Sequence, residues 1–242
     1  MILSGLFTVG VAFFCLIIVL PAFILSFLGL QKPMSWVVYR VAQFWAHSIV
    51  AITGCTITVE GREHIPQKGG VCFVSNHGAI FDIVILLAHI GRPFGFIAKR
   101  ELAFLPVFSA WIYILGGLFI DRENIRRATK TISRGSDRIK KGSAMLIFPE
   151  GSRSKGRGLL PFRPGSLRLA TNALAPIVPV AISRSYDVFE RDYRVHQIDL
   201  RVVFCPPIHT AQMSAEERKH NLPDMVRNAI DSGLDEWTRN PS

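Results

Sequence analysis

Residues 71–82 read Val-Cys-Phe-Val-Ser-Asn-His-Gly-Ala-Ile-Phe-Asp and change character half-way. Four apolar residues, 71–74, are followed by the polar turn residues 75–78, after which apolar residues resume. A short apolar run bounded by turn residues is typical of a buried strand, and residues 80–89 have the length and spacing of a helix. This stretch therefore predicts a strand, a tight turn and a helix.

His77 and Asp82 stand five residues apart across that turn. On one continuous helix, five residues rotate a side chain by about 500°, so the two side chains would point about 140° apart. They can meet only if His77 lies in the turn and Asp82 lies in the first helical turn, where the helix dipole favours a carboxylate. An imidazole that an acid orients is suited to take a proton from a hydroxyl. The alternative is that Asn76 and Asp82 cap the turn and His77 is an ordinary surface histidine.

The composition limits the class of protein. The 242 residues are enough for a large core, and the net charge of +10 suits nucleic acid, an anionic membrane surface or phosphorylated substrates. No nucleic-acid-reading motif is present, so nucleic acid is not expected as a partner. The four cysteines are scattered without a C-x-x-C pair, which favours a reducing compartment.

The N-terminal part is markedly apolar, with no charged side chain in residues 1–31. Residues 2–30, interrupted by Pro21, are long enough to span the roughly 30 Å of a bilayer's hydrocarbon. A signal peptide fits poorly, because there is no basic start and no small-residue cleavage pattern. Residues 31–33 then predict a break. We therefore expect membrane attachment.

A second helix is predicted over residues 34–53, with Arg40, Gln43 and His47 on one stripe. A striped helix lies more easily in the interface than across the bilayer. We expect residues 1–54 to form a two-helix membrane-associated motif in one leaflet. The alternatives are a single crossing by the first helix, and a stripe that packs on the chain's own domain.

Residues 55–242 alternate short apolar runs with amphipathic stretches, which predicts an α/β domain with a mixed, largely parallel sheet flanked by helices. Such sheets carry their sites at the carboxyl ends of strands. The predicted strands cover residues 56–60, 71–75, 94–98, 118–121, 144–148, 177–182 and 198–204. The predicted helices cover residues 80–89, 103–115, 124–141, 166–173 and 214–237. The last of these begins with a capping box at Ser214 and Glu217 and is expected to break at Pro223. Its apolar face consists of Val226, Ile230, Leu234 and Trp237.

Polar clusters follow two further predicted strands. Asp121-Arg122 follows the fourth strand, and residues 149–154, Pro-Glu-Gly-Ser-Arg-Ser, follow the fifth. Arginine suits two-pronged binding of phosphate, and glycine lets the backbone approach an anion. A capped loop with a solvated arginine is the alternative for residues 149–154. Lys99-Arg100 could add positive charge, with a basic surface edge as the alternative.

Four sequence blocks together resemble the four motifs of the glycerolipid acyltransferases, in order and at similar spacing. They are Asn76-His77-x4-Asp82, Gly117-x-Phe119-Ile120-Asp121-Arg122, residues 148–154 and Ile177-Val178-Pro179-Val180. The chain resembles the 1-acyl-sn-glycerol-3-phosphate acyltransferases of the bacterial type. The resemblance covers residues 56–210, and the two N-terminal helices fit it as well. Ser152 stands where many members have threonine, which keeps the hydroxyl.

The resemblance implies roles for individual residues. His77 would be the catalytic base on the acceptor hydroxyl, with Asp82 as its orienting partner. The substrate-binding residues would be Asn76, Lys99, Arg122, Glu150, Gly151, Ser152, Arg153 and Pro179, where the cations serve the acceptor phosphate. For Pro179, a rigid strand end is an equally good interpretation.

The implied reaction is acyl transfer from acyl-CoA or acyl carrier protein to the sn-2 hydroxyl of lysophosphatidic acid, giving phosphatidic acid. The resemblance implies no metal, no cofactor and no covalent acyl-enzyme, and the sequence has no HExxH motif and no G-x-S-x-G elbow. The expected location is the inner, cytoplasmic membrane, with membrane lipids as partners and the catalytic domain on the cytoplasmic side. Two alternatives remain, namely another lysolipid acceptor such as lyso-ornithine lipid and a non-catalytic lipid-binding module.

Overall fold

The strand predicted at residues 71–75 is present inside a mixed sheet, and all five of its residues are buried. The structure is a computed structural model that describes residues 19–234. The strands of this part of the chain are β1 (Thr56–Glu60), β2 (Val71–Ser75), β3 (Phe94–Lys99), β4 (Leu118–Ile120), β5 (Ala144–Ile147), β6 (Pro176–Ser183), β7 (Asp199–Phe204) and β8 (Ile208–His209).

The sheet order is β1-β7-β6-β2-β5-β3-β4, with β8 also paired to β6. In this order the neighbouring strands β6, β2, β5, β3 and β4 are parallel to one another. Strands β1 and β7 are also parallel to each other, whereas β7 and β8 are antiparallel to β6. The prediction of a mixed, largely parallel sheet is therefore confirmed. Strand β8 was not predicted, because a two-residue strand leaves no pattern in the sequence.

Eight helices flank the sheet in residues 19–234. They are α1 (Leu20–Leu25), α2 (Gln31–Thr53), α3 (Phe81–His89), α4 (Pro106–Ile114), α5 (Ile125–Lys140), α6 (Arg168–Thr171), α7 (Ala215–His220) and α8 (Leu222–Gly233). The capping box before α7 is present, and the predicted break falls at Asn221 with Pro223 in the first turn of α8. Trp237 lies outside the described residues. Helix α6 is shorter than predicted, because Leu174 at φ 50° turns the chain towards β6.

Side chains alternate between two faces of the sheet and build two cores. In β2, Phe73 points into a core formed with α1 to α4, and Cys72 points into a core formed with α5, α6 and α8. Both faces of the central strands are thus covered by helices, which is why these strands are apolar throughout. The turn after β2 lies between the two layers, at the carboxyl edge of the sheet.

The N-terminal helices share the first of these cores, to which Ala22, Val38 and Tyr39 contribute. Helix α2 ends at Gly54 in the left-handed conformation (φ 69°), directly before β1. The break between α1 and α2 falls at Leu28 and Gly29 (φ 88°), so the expected break at residues 31–33 is wrong. Proline does not break a helix in its first turn, where its missing N–H has no partner to lose.

The polar stripe of α2 is only partly covered, because Gln43 is half-buried whereas Arg40 and His47 are exposed. Gln43 donates to the Ala88 carbonyl at 3.1 Å, and the rings of His47 and His89 lie 5.4 Å apart. The buried face of α2 includes Tyr39, which donates to the Leu87 carbonyl at 3.3 Å. The exposed side of α2 carries Arg40 and His47 together with the large apolar side chains Trp36, Val37, Phe44 and Ile52.

Within residues 19–234, no helix is both long and apolar enough to cross a bilayer. Residues 1–18, which hold most of the first predicted helix, lie outside the described residues.

We predict that Ser214→Ala lowers the free energy of unfolding by about 1 kcal/mol. Its side chain accepts the Glu217 N–H at 3.2 Å, and the Glu217 carboxylate accepts the Ser214 N–H at 2.7 Å, so the variant loses a reciprocal cap. Denaturant unfolding measures the change. Ser232→Ala, an exposed serine in α8, is the control, and equal losses in both variants would contradict a role for the cap.

Candidate active site

A half-buried His77 and a buried Asp82 form a hydrogen-bonded pair at the carboxyl end of β2. The Nδ1 atom of His77 lies 2.8 Å from Oδ2 of Asp82, which is fully buried. The same carboxylate oxygen accepts the Ala79 N–H at 3.0 Å. Because a carboxylate only accepts, Nδ1 carries the proton, and Nε2 is left with a free lone pair. The predicted geometry, with His77 in the turn and Asp82 in the first turn of α3, is therefore confirmed.

The loop after β5 is hydrogen-bonded to the turn that contains His77. Glu150 accepts the His77 N–H at 2.6 Å, and the His77 carbonyl accepts the Ser154 N–H at 2.7 Å. The Phe148 ring stacks on the imidazole, with centroids 3.9 Å apart and planes inclined by 14°. The first and third sequence blocks thus form one unit that fixes both the backbone and the ring of His77.

Glu150 is a buried carboxyl group with two backbone partners. Its second oxygen accepts the Leu160 N–H at 2.8 Å. Burial raises the pKa of Glu150 to about 7, although the two backbone hydrogen bonds act in the opposite direction. The side chain points into the protein, so its evident contribution is to position the turn. The substrate-binding role expected for Glu150 stays a prediction.

Asn76 and Pro179 lie in the sheet framework beneath the site. The Asn76 side chain donates to the Ile182 carbonyl at 2.9 Å and accepts the Ile182 N–H at 2.8 Å, which ties the turn to β6. Pro179 is buried in β6, opposite Val74 of β2. Both residues therefore act on the site through the backbone, and direct substrate contact stays a prediction for each.

Two arginines meet beside Gly151 in the loop after β5. Arg122 donates to the Gly151 carbonyl. The side chain of Arg163 crosses the Gly151 Cα so closely that an added Cβ would lie 2.5 Å from its Cδ, and Gly151 has φ 71°. Partial burial lowers the pKa of Arg122, and the nearby charge of Arg163 lowers it further.

Arg122, Arg163, Gly151 and Phe148 line a groove of about 750 Å³, called here the Arg122 groove. Its floor is apolar, with Ile97, Ile120, Ile132 and Ile147. Its lining contains no acidic residue. Within residues 19–234 the Arg163 side chain has no hydrogen bond or ion pair. Two guanidinium groups thus meet at the mouth of an apolar groove that reaches the stacking partner of His77.

Arg153 lies on the other side of the turn and has an acidic partner. It pairs with Glu190, whose other carboxylate oxygen accepts the Ile80 N–H at the start of α3. This contact connects the loop after β5 with the segment after β6. The positive charge of Arg153 is thus partly neutralised by Glu190, whereas the charge of Arg163 is not.

Lys99 and Ser152 are exposed. Lys99 lies 3.3 Å from Glu101 and lines a smaller cavity, about 240 Å³, together with Arg122. Ser152 lies next to Gly151 at the surface. The positions of both fit contact with a bound acceptor, which stays a prediction.

Sequence reasoning missed Phe148 as a stacking partner, Arg163 as a second cation and Glu190 as an anchor. A cation in the Pro- and Gly-rich segment 161–165 was the available signal for Arg163. Nothing in the sequence marked Glu190, because it lies 110 residues from Ile80 and 37 residues from Arg153.

The fold and this site define an enzyme of the acyltransferase class, and comparison with known proteins identifies the same class. The family model described as Acyltransferase matches residues 56–183. The chain belongs to this acyltransferase family, so the predicted resemblance and enzyme class are confirmed.

Similar proteins carry more specific names. The chain is 33% identical to the 1-acyl-sn-glycerol-3-phosphate acyltransferase of Escherichia coli K12, over 62% of this chain and 61% of that protein. It is 28% identical to the enzyme of the same name from Borreliella burgdorferi, over 74% and 72% of the two chains. The crystal structure of the 1-acyl-sn-glycerophosphate (LPA) acyltransferase PlsC from Thermotoga maritima matches with a TM-score of 0.75 and 25% identity, over 88% of this chain and 84% of that one.

We predict that Glu150 makes stability depend on pH. With an ordinary pKa of 4.5 in the unfolded chain and about 7 in the fold, it ionises first in the unfolded chain. The unfolding free energy of the wild type, relative to Glu150→Gln, should therefore fall by on the order of 3 kcal/mol as pH rises from about 4.5 to about 7, and then level off.

Denaturant unfolding across this pH range tests the prediction. Glu216→Gln, an exposed glutamate in α7, is the control and should follow the wild-type profile. A constant difference between wild type and Glu150→Gln at all pH values would contradict the raised pKa.

Proposed function

We propose that the chain transfers an acyl group from acyl-CoA or acyl carrier protein to the sn-2 hydroxyl of lysophosphatidic acid, giving phosphatidic acid. The observation that carries this proposal is the 2.8 Å contact between His77 and Asp82. It lies beside a groove that is lined by three arginines and by Phe148, the stacking partner of His77. The names of the similar enzymes support lysophosphatidic acid as the acceptor. The reaction needs no covalent acyl-enzyme, because a thioester is already activated.

His77 acts as the general base. Asp82 holds the ring with Nδ1 protonated, so Nε2 takes the proton from the acceptor hydroxyl as its oxygen attacks the thioester carbonyl. The tetrahedral intermediate then collapses, and the thiolate leaves with the proton from the imidazolium. Stacking on Phe148 keeps the ring in one orientation during both proton transfers.

The Gly78 N–H supplies a donor for the oxyanion. The neighbouring His77 N–H is already bound to Glu150, at 2.6 Å. The Ala79 N–H is bound to Asp82, at 3.0 Å. Among the described residues, the Gly78 N–H has no hydrogen-bond partner, and it lies next to the base. A preorganised backbone donor at that position stabilises developing negative charge.

Arg122 and Arg163 bind the acceptor phosphate. Guanidinium groups form two-pronged hydrogen bonds to phosphate, and a second positive charge nearby strengthens binding of a dianion. The apolar floor of the Arg122 groove accommodates the hydrocarbon part of a substrate. The carbonyl of Gly151 fixes Arg122, and the absence of a Cβ at Gly151 leaves room for the Arg163 side chain.

The N-terminal helices hold the enzyme on the membrane from which its acceptor comes. The exposed side of α2 carries large apolar side chains beside Arg40 and His47, α1 exposes Leu20 and Ile24, and the segment after α1 exposes Phe27 and Leu28. Exposed apolar side chains beside basic residues favour contact with a lipid surface. We place the protein at the inner membrane, with the catalytic domain in the cytoplasm, where acyl-CoA and acyl carrier protein are available.

We predict that His77→Ala lowers the turnover number for lysophosphatidic acid by several orders of magnitude and leaves binding to liposomes unchanged. The base is lost, whereas the apolar surface is not. His220→Ala, an exposed histidine in α7, should retain full activity. Turnover of the His77 variant near the wild-type rate would overturn the mechanism, and transfer by neither wild type nor control would overturn the proposed function.

We predict that Arg163→Ala raises KM for lysophosphatidic acid at least tenfold and changes KM for the acyl donor by no more than about twofold, because a charged hydrogen bond contributes about 1.5–3 kcal/mol. Steady-state kinetics with each substrate varied in turn measure both constants. Arg134→Ala, an exposed arginine on α5, is the control. Equal changes in both constants would contradict the assignment of Arg163 to the phosphate.

A further inference from the structure

A second cavity adjoins the Arg122 groove. It measures about 440 Å³ and lies between the segment 162–172 and the helices α7 and α8. We call it the basic cavity, because its lining includes Arg163, Arg168, Arg218 and Lys219 and no acidic residue. The hydrogen-bonding side chains of Ser166, Thr171 and Asn172 complete its polar wall.

The charges of the basic cavity are mostly unneutralised. Arg218 donates to the carbonyls of Thr210 and Met213, so its guanidinium group serves the local structure. The side chains of Arg168 and Lys219 have no hydrogen bond or ion pair within residues 19–234. Like charges that converge on one concave site repel one another, and an anion bound there would relieve that repulsion.

The basic cavity lies on the side of the sheet away from the N-terminal helices. Its segment and α8 contribute Leu167, Leu169 and Leu222 to the core with α5, whereas α1 and α2 pack on the opposite core. The exposed apolar residues of α2 thus belong to one side of the sheet, and the basic cavity belongs to the other. The Arg122 groove lies on the same side as the basic cavity, because Ile97, Ile132 and Ile147 of its lining belong to the core with α5.

The basic cavity is also connected to the catalytic base. It shares Arg163, Arg168, Asn172 and residues 164–166 with the Arg122 groove. The groove in turn reaches Phe148, the ring that stacks on His77. An anionic group in the cavity could therefore belong to a molecule whose other end lies at the imidazole.

We propose that the basic cavity binds the phosphorylated nucleotide end of a coenzyme A thioester. This inference rests on the proposed function and names the donor of that reaction. Such a donor carries several phosphate groups on a nucleotide, separated from the thioester by a long, flexible, uncharged arm. The nucleotide lies in the basic cavity, the arm follows the shared wall into the groove, and the thioester reaches Nε2 of His77.

The shape of the site favours a nucleotide over the acidic surface of a carrier protein. A concave site within the usual range for small ligands, about 300–1,000 Å³, encloses a nucleotide, whereas a protein partner is met by a flatter and larger surface. The arginines offer two-pronged hydrogen bonds to phosphate, and Asn172 and Thr171 offer partners for a ribose or a base.

The test compares two donors with one double variant of the full chain. Arg168→Ala/Lys219→Ala is assayed with palmitoyl-CoA and with palmitoyl-pantetheine, which has the same thioester and no nucleotide. We expect KM for palmitoyl-CoA to rise at least tenfold, with KM for palmitoyl-pantetheine unchanged. Lys68→Ala/Lys141→Ala removes two exposed lysines at the opposite edge of the sheet, before β2 and β5, and should leave both constants unchanged.

Calorimetric titration with free coenzyme A provides a readout that does not depend on turnover. Coenzyme A should bind the wild type and the lysine control with equal Kd, and bind the Arg168→Ala/Lys219→Ala variant at least tenfold more weakly. Unchanged Kd and KM in this variant, an equal rise in KM for palmitoyl-pantetheine, or a rise confined to lysophosphatidic acid would each overturn the proposal. Activity of the wild type with an acyl carrier protein alone would also overturn it.

The proposed function can be judged separately from this inference. Transfer from palmitoyl-pantetheine to lysophosphatidic acid by the wild type supports the reaction, whatever the basic cavity binds. Absence of transfer with every donor would overturn the reaction itself.

Discussion

The hydrogen bond between Asp82 and His77 is the constraint to which the surrounding structure is adapted. Asp82 is fully buried, and its second carboxylate oxygen has no hydrogen-bond partner in residues 19–234. Its charge is therefore held by the imidazole, the Ala79 N–H and the start of α3. The carboxylate of Glu150, the side chain of Asn76 and the ring of Phe148 hold the turn from three other sides. This degree of support suits a base whose lone pair must keep one direction.

The sheet separates two kinds of surface around that imidazole. On one side, α1 and α2 expose large apolar side chains beside Arg40 and His47, while Gln43 bonds to α3. On the other side, the segment 162–172 and the helix α7 present unneutralised cations. The Arg122 groove belongs to this second side through Ile97, Ile132 and Ile147, and His77 lies at the carboxyl edge of the sheet between the two sides.

Local patterns in the sequence predicted most of the sheet and the contact between His77 and Asp82. The apolar run of β2 and the rotation of an α-helix together required His77 to lie in a turn, and the structure agrees. Contacts between distant segments were not predictable. Gln43 was expected in a stripe at the membrane interface, with packing on the chain's own domain as the alternative, and it bonds to α3. Periodicity identifies a face of a helix but not what covers that face. Glu190 and Arg163 reach the site only through tertiary folding.

The protonation of the His77 ring tests the central claim most directly. Nitrogen-15 NMR of the isotope-labelled enzyme at neutral pH distinguishes the two neutral tautomers and the imidazolium form. The account predicts a protonated Nδ1 and an unprotonated Nε2 in the wild type, and loss of that preference in Asp82→Asn, whose side chain can donate to the ring. A wild-type ring protonated on Nε2, or one with the same tautomer in Asp82→Asn, would contradict it.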